Sequence, residues 1–190
     1  MPGERPGAPA PRKPFQAVGE SAWLILAIAL FGLQQIAIRS FPLDGAFGFT
    51  RRAIFLVTTF ILMLIALRYR RYFGAWIVAA GIALNLIPMI AHGGLMPVSY
   101  DVVQESKAFP SITRDDVGHQ LSNGKDIVLD PEDIRFGWLA DRFIVDLPGY
   151  GTNIYSLGDF VLFAGIGLVI VQVVAAGIWT ISRPQRTTSA

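Results

Sequence analysis

Three polar residues interrupt the apolar runs of this chain. Asn85 and His92 lie in the stretch GIALNLIPMIAHGGLMPVS (81–99), and Asp159 ends YSLGD (155–159), at the mouth of the last run. Gln34 is a fourth candidate, near the far end of the first run. A carboxylate at a membrane boundary is costly and by default marks a functional position. The chemistry within reach is hydrolysis, with Asp159 and a partner activating a water. Each residue also has a structural role open to it. Ser156-Leu157-Gly158-Asp159 fits a capping box, which satisfies orphan backbone donors, and Asp159 faces the positive end of the last helix dipole. Asn85 suits a hydrogen bond to a neighbouring helix. Gln34 reads as an interfacial amide or as an inter-helix donor to the Asn85 group. His92 reads as an interfacial residue, since one histidine with no second His and no nearby acid makes a poor zinc site.

Membrane helices must position these groups. Of 190 residues, 53% are hydrophobic and 16% charged. A soluble domain carries about 25% charged residues, and here the apolar ones gather in long uncharged runs, as membrane spans do. The absence of cysteine excludes disulfides, thiolate metal sites, Cys nucleophiles and haem attachment. No cofactor or metal is expected. The basic residues gather at span ends, where lipid headgroups explain them and nucleic acid is not needed.

The expected fold class is all-α integral membrane: four transmembrane helices with a mixed, partly irregular extramembrane segment between the third and fourth. Residues 1–19 hold five prolines and read as a disordered tail. The run after them is long and lacks a small-residue cleavage site, so it reads as an uncleaved first span rather than a signal peptide. The first three spans fall within 20–92, near 21–38, 53–67 and 72–91. Arg51, Arg52 and Arg68 are expected to snorkel to headgroups. Ala75, Ala79 and Ala83 form a small-residue stripe suited to close helix approach, and Pro88 should kink the third span. The segment 93–157 is extramembrane. Within it, 98–109 suits a short amphipathic surface helix. Asp130-Pro131-Glu132-Asp133 is a helix start, leading into an apolar set that includes Phe136, Trp138 and Phe143 and could dock on the bilayer or the spans. Residues 158–182 form the fourth span, anchored by Trp179, and 183–190 a polar tail.

Lysine and arginine counts near span ends put both termini in the cytoplasm. Segment 93–157, with ten acids and five bases, then lies outside. Asn85, His92 and Asp159 meet at the outer face.

Two resemblances emerge from these residues. Four spans, an Asn-bearing third span leaving through Gly93, Gly94, Met96, Pro97 and Val98, a long outer segment and Ser156–Asp159 opening the last span resemble the bacterial membrane family called domain of unknown function 5317. That implies a multi-pass protein of the bacterial plasma membrane and no activity. Spans three and four are also distantly similar to signal peptidase II, whose third span carries Gly-x-x-x-Asn-x-x-Asp-Arg and whose fourth opens on a Phe-Asn-x-Ala-Asp motif. Gly81 and Asn85 match the first pattern; Tyr155, Ser156, Gly158 and Asp159 resemble the second, with Gly165 following. Pro88 stands where that enzyme keeps one catalytic aspartate, Met89 where it keeps an arginine, and Leu33 precedes Gln34 where it has an Asp-Gln pair. An aspartyl mechanism needs two carboxylates, and Asp141 or Asp146 could serve only if the outer segment folds back. The expectation is therefore a non-enzymatic protein, an accessory subunit of a membrane complex or a lipid- or lipoprotein-binding scaffold. Its partners are the bilayer and other membrane proteins. The alternative is a membrane-embedded aspartyl-type hydrolase using Asp159.

Overall fold

The computed structural model describes residues 14–40, 45–121, 124–149 and 151–181. Expectations for residues 1–13 and the 183–190 tail fall outside these residues, and so does that for the side chain of Trp179.

Five α-helices appear in chain order: α1 (Pro14–Ser40), α2 (Gly45–Arg68), α3 (Phe73–Ala91), α4 (Tyr100–Ser106) and α5 (Leu157–Ile181). Three of them hold stretches long and apolar enough to cross a membrane: Gly48–Arg68, Phe73–Ala91 and Leu157–Ala176. The 19 residues of α3 extend about 28 Å at 1.5 Å per residue, close to a hydrocarbon core of roughly 30 Å. In α1 the apolar stretch Ala22–Ala37 is shorter. The helix nonetheless starts at Pro14, inside the tail expected to be disordered, because proline at a first helical position carries no orphan donor. As its short core implied, α2 extends beyond 53–67 in both directions.

The interface between α3 and α5 is built on glycine. A Cβ on Gly81 would stand 2.5 Å from the Leu162 backbone nitrogen and 2.9 Å from the Gly158 carbonyl oxygen. One on Gly165 would stand 2.5 Å from the Val78 nitrogen, and one on Gly74 2.7 Å from the Val169 nitrogen. Positions 74, 78, 81 and 85 of α3 thus face 158, 162, 165 and 169 of α5, antiparallel and at coiled-coil spacing. Bare backbone lets the helices approach until dispersion contacts replace the hydrophobic effect that lipid cannot supply. Ala75 and Ala79 are buried, but the glycines, rather than the expected alanine stripe, make the closest contact. At the far end of this seam the Gly74 N–H, an orphan donor in the first turn of α3, donates to Gln172 Oε1 at 3.2 Å. Pro88 does not end α3, which runs on to Ala91. The helix closes through His92 and a left-handed Gly93 at φ 66°, with the Gly94 N–H donating to the Met89 carbonyl at 2.8 Å.

Residues 94–156 form a small module at the C-terminal end of α3 and the N-terminal end of α5. Strand β1 (Met96–Ser99) pairs in parallel with β2 (Asp126–Leu129), and β3 (Phe143–Leu147) pairs antiparallel with β4 (Gly151–Tyr155). The segment expected to be mixed thus carries the strand content, and the rest of the described chain is helical. The two small sheets form because Val98 and Val128 bury against Val103 of α4 and Leu121 in a core that no single helix could cover. The surface helix expected at 98–109 is shortened to α4, capped by Ser99, and Val103 points into the module rather than at lipid. The helix expected after Asp130 stops as a 3-10 turn, Pro131–Asp133. The Arg135 N–H, which would continue it, donates instead to His92 Nε2 at 3.1 Å, and Phe136 turns left-handed at φ 58°.

Arg51, at the start of α2, also differs from expectation. Arg51 is 3% exposed, and its Nη2 donates to the Gly124 carbonyl at 2.6 Å. It fastens the module to α2 instead of snorkelling. Arg51→Leu is expected to loosen this attachment by about 2 kcal/mol, the worth of a charge-assisted hydrogen bond. Hydrogen exchange should then quicken over 118–129 while α3 and α5 stay protected.

Candidate functional site

Asn85, Ser156 and Asp159 close a ring of four hydrogen bonds. Asn85 Nδ2 donates to Asp159 Oδ1 at 2.8 Å, and Ser156 Oγ donates to Asn85 Oδ1 at 2.7 Å. The Ser156 N–H donates to Asp159 Oδ2 at 3.0 Å, and the Asp159 N–H donates to Ser156 Oγ at 3.0 Å. The capping box is thus present and bound to α3 by the amide, so the cap and the inter-helix polar contact coexist. Gly158 makes room for it: a Cβ there would collide with Asn85 Oδ1.

The other two candidates stand apart. Gln34 is buried and donates to Thr58 Oγ1 at 2.8 Å and Thr59 Oγ1 at 2.9 Å. It joins α1 to α2 and does not reach the Asn85 group. His92 Nδ1 lies 2.7 Å from the Pro88 carbonyl, while its Nε2 accepts from the Arg135 N–H. Those two contacts fit the neutral tautomer protonated on Nδ1. His92 staples the 134–138 segment to the end of α3.

The module brings further charges to the ring. The Asp141 N–H donates to the Pro97 carbonyl at 3.0 Å and the Arg142 N–H to the Tyr155 carbonyl at 3.1 Å. Asp141 is thereby held between β1 and the residue that precedes Ser156. Asp126, opposite Met96 in the β1–β2 register, comes with it. Lys125 Nζ lies 3.5 Å from Asp141 Oδ2 and 3.8 Å from Asp126 Oδ1. The Asp126 and Asp141 carboxyls therefore share one ammonium, that of Lys125. Their Oδ1 atoms are buried and receive no hydrogen-bond donor among the described residues. Burial pushes the Asp141 carboxyl well above its ordinary range, Asp126 and Asp159 push it further, and Lys125 opposes them. Burial likewise raises Asp126 against the pull of Lys125. For Lys125 itself burial works downward, but attraction to Asp141, then Asp126 and Asp159, prevails and raises it. Among the described residues no group of three or more His, Cys, Asp or Glu is placed to hold a metal ion.

The segment between α3 and α5 therefore folds back and brings Asp141, not the exposed Asp146, toward Asp159. Sequence reasoning passed over Lys125 and Asp126. Their signal is a pairing between residues thirty positions apart, which no local pattern carries.

A raised carboxyl pKa has a defined linkage sign. Above the ordinary aspartate value of 3.8, the unfolded chain releases a proton that the folded Asp141 keeps. Folding stability then falls as pH rises from that value through the raised one. Asp141→Asn is expected to flatten this part of the module's stability curve. Thermal unfolding of wild type and variant across pH 4–8 checks it, and parallel curves would contradict it.

A family model described as a family of unknown function, DUF5317, matches residues 20–171. The chain belongs to that family. The match spans α2, α3, the module and the ring of Asn85, Ser156 and Asp159, so the whole candidate site lies within the DUF5317 region. No curated protein and no solved structure matches the chain.

Proposed function

We propose that this DUF5317 protein is a four-span protein of the bacterial plasma membrane that works by binding and not by catalysis. It serves as an accessory subunit of a membrane complex or as a lipid- or lipoprotein-binding scaffold. Its termini are cytoplasmic and its module lies outside, with α1 as the fourth span. The observation that carries this reading is the commitment of Asp159: Oδ1 accepts from Asn85 and Oδ2 from the Ser156 N–H. Oδ1 fastens α5 to α3 and Oδ2 closes the cap at the start of α5, so each oxygen of this carboxylate has a structural task. Pro88 occupies the position where the distantly similar signal peptidase II keeps its other aspartate.

A hydrolase remains the second reading, favoured by one observation. Asp126 and Asp141 flank the Lys125 ammonium at 3.8 and 3.5 Å in the field of Asp159, and paired carboxyls are the working parts of aspartyl catalysis.

The two are separated by purifying the tagged protein in mild detergent and analysing it by native mass spectrometry, alongside an assay with a fluorogenic lipopeptide. A stoichiometric protein partner or retained lipid, with no turnover, is the expected result. Turnover abolished by Asp141→Asn or Asp159→Asn at unchanged thermal stability would establish the hydrolase instead.

A further inference from the structure

We infer that the segment 135–147 is a membrane foot, a part of the outer module that rests in the headgroup–acyl boundary of the bilayer with its apolar side chains in lipid. Four large apolar residues on it face outward: Phe136 is 49% exposed, Trp138 56%, Phe143 39% and Leu147 39%. Their neighbours Leu139 and Ala140 are buried, so the segment has an inner and an outer side, and the outer side is apolar.

Its anchoring points lie at the level where the helices leave the membrane. The Arg135 N–H is held by His92, the residue after α3. The Phe143 ring meets Phe160 edge-on at 5.4 Å between centroids, and Phe160 lies in the first turn of α5. Opposite Phe143 in the hairpin register is Tyr155, whose ring contacts Phe160 at 6.2 Å and Phe163 at 5.9 Å. Phe160, Phe163, Ile166 and Ile170 are all exposed, and their helical spacing makes them one outer stripe of α5. Through Phe143 and Tyr155 the hairpin continues that stripe, so the solvent that covers one covers the other.

In a two-stranded ladder directly opposed residues share a face. Phe143, Val145, Leu147 and Tyr155 therefore lie together, with Asn153 and Gly151 completing the row, and Asp146 lies on the other side. A two-stranded hairpin with one open apolar face is marginal in water, and lipid would cover it. The polar trim fits as well. Arg142 sets its guanidinium 5.7 Å from the Phe143 ring centroid; with the exposed Arg135, it flanks the aromatic residues. Tryptophan beside arginine is the pairing that membrane interfaces select, ring in the boundary and charge toward phosphate. Phe136 holds a left-handed φ of 58°, unusual for a bulky residue, and in that conformation its ring is turned outward.

The absence of native cysteine permits a direct test. The full chain is reconstituted in phosphatidylcholine–phosphatidylglycerol vesicles with a single nitroxide-labelled cysteine at position 136, 138 or 147, and at position 115 as a control. Collision with oxygen, which concentrates in lipid, is compared with collision with a water-soluble nickel chelate. Positions 136, 138 and 147 are expected to show a several-fold excess of oxygen over chelate collisions, and position 115 the reverse. If all three behave like 115, or are shielded from both reagents by a second copy or another protein, the inference fails. Quenching of the native tryptophans by brominated lipid, lost selectively in Trp138→Phe, gives the same answer without a label. Unchanged quenching in that variant would count against the foot.

Discussion

Gly81→Leu is expected to separate α3 from α5. Even Gly81→Ala places a methyl 2.5 Å from the Leu162 nitrogen and 2.7 Å from its Cα. Both are backbone atoms, so no rotamer change relieves the clash and the helices must move apart. Overpacking of this kind costs about 1–3 kcal/mol and occasionally more, and the alanine variant belongs at the upper end. The leucine variant forces a separation that also opens the Asn85 ring. Thermal or denaturant unfolding in detergent should show about 3 kcal/mol lost for alanine and no cooperative α3–α5 transition for leucine. Gly32 is the internal control, since a Cβ there meets nothing within 4 Å. A Gly81→Ala variant as stable as Gly32→Ala would refute the glycine seam.

Asn85→Leu should be the next most damaging change. It removes the donor to Asp159 and the acceptor from Ser156 in one step. Ser156 is fully buried, so its hydroxyl hydrogen is left without a partner in an apolar setting. An unmade buried hydrogen bond costs about 1–3 kcal/mol, and inter-helix bonds in membranes lie toward the low side of that range. A loss of about 2 kcal/mol is expected. Asp159→Asn should be milder, because its oxygen can still accept from one of its two donors. A double-mutant cycle between positions 85 and 159 should return about 1 kcal/mol of coupling. Additive effects would mean that the two side chains do not act together.

The two variants probe features of unequal legibility. Span boundaries are written in composition: long uncharged runs can form only helices in lipid, because every backbone group must be satisfied locally. The box at Ser156 and Asp159 is equally local, since both partners lie within one turn. For those reasons the three apolar spans and the capped start of α5 could be read before any coordinates. Asn85 could be recognised as a residue that needs a partner, though the partner could not be identified.

Everything that joins distant residues required tertiary structure. Ala75, Ala79 and Ala83 looked like the close-packing stripe, yet Gly74 and Gly81 make that contact, because only the rotation of α3 against α5 selects the facing side. The Asp130-Pro131 start was a sound helix signal, but His92, forty-three positions away, captured the next donor. Arg51 looked like a headgroup anchor until the module supplied the Gly124 carbonyl. Asp126 and Asp141 are unremarkable loop acids by sequence; β1 between them and the return of the chain to Tyr155 bring them to one lysine, with Asp141 buried. Hydropathy and capping act over one or two turns and are encoded locally. Helix facing, parallel strand pairing and buried charge depend on what the rest of the chain brings alongside, and only the folded structure decides them.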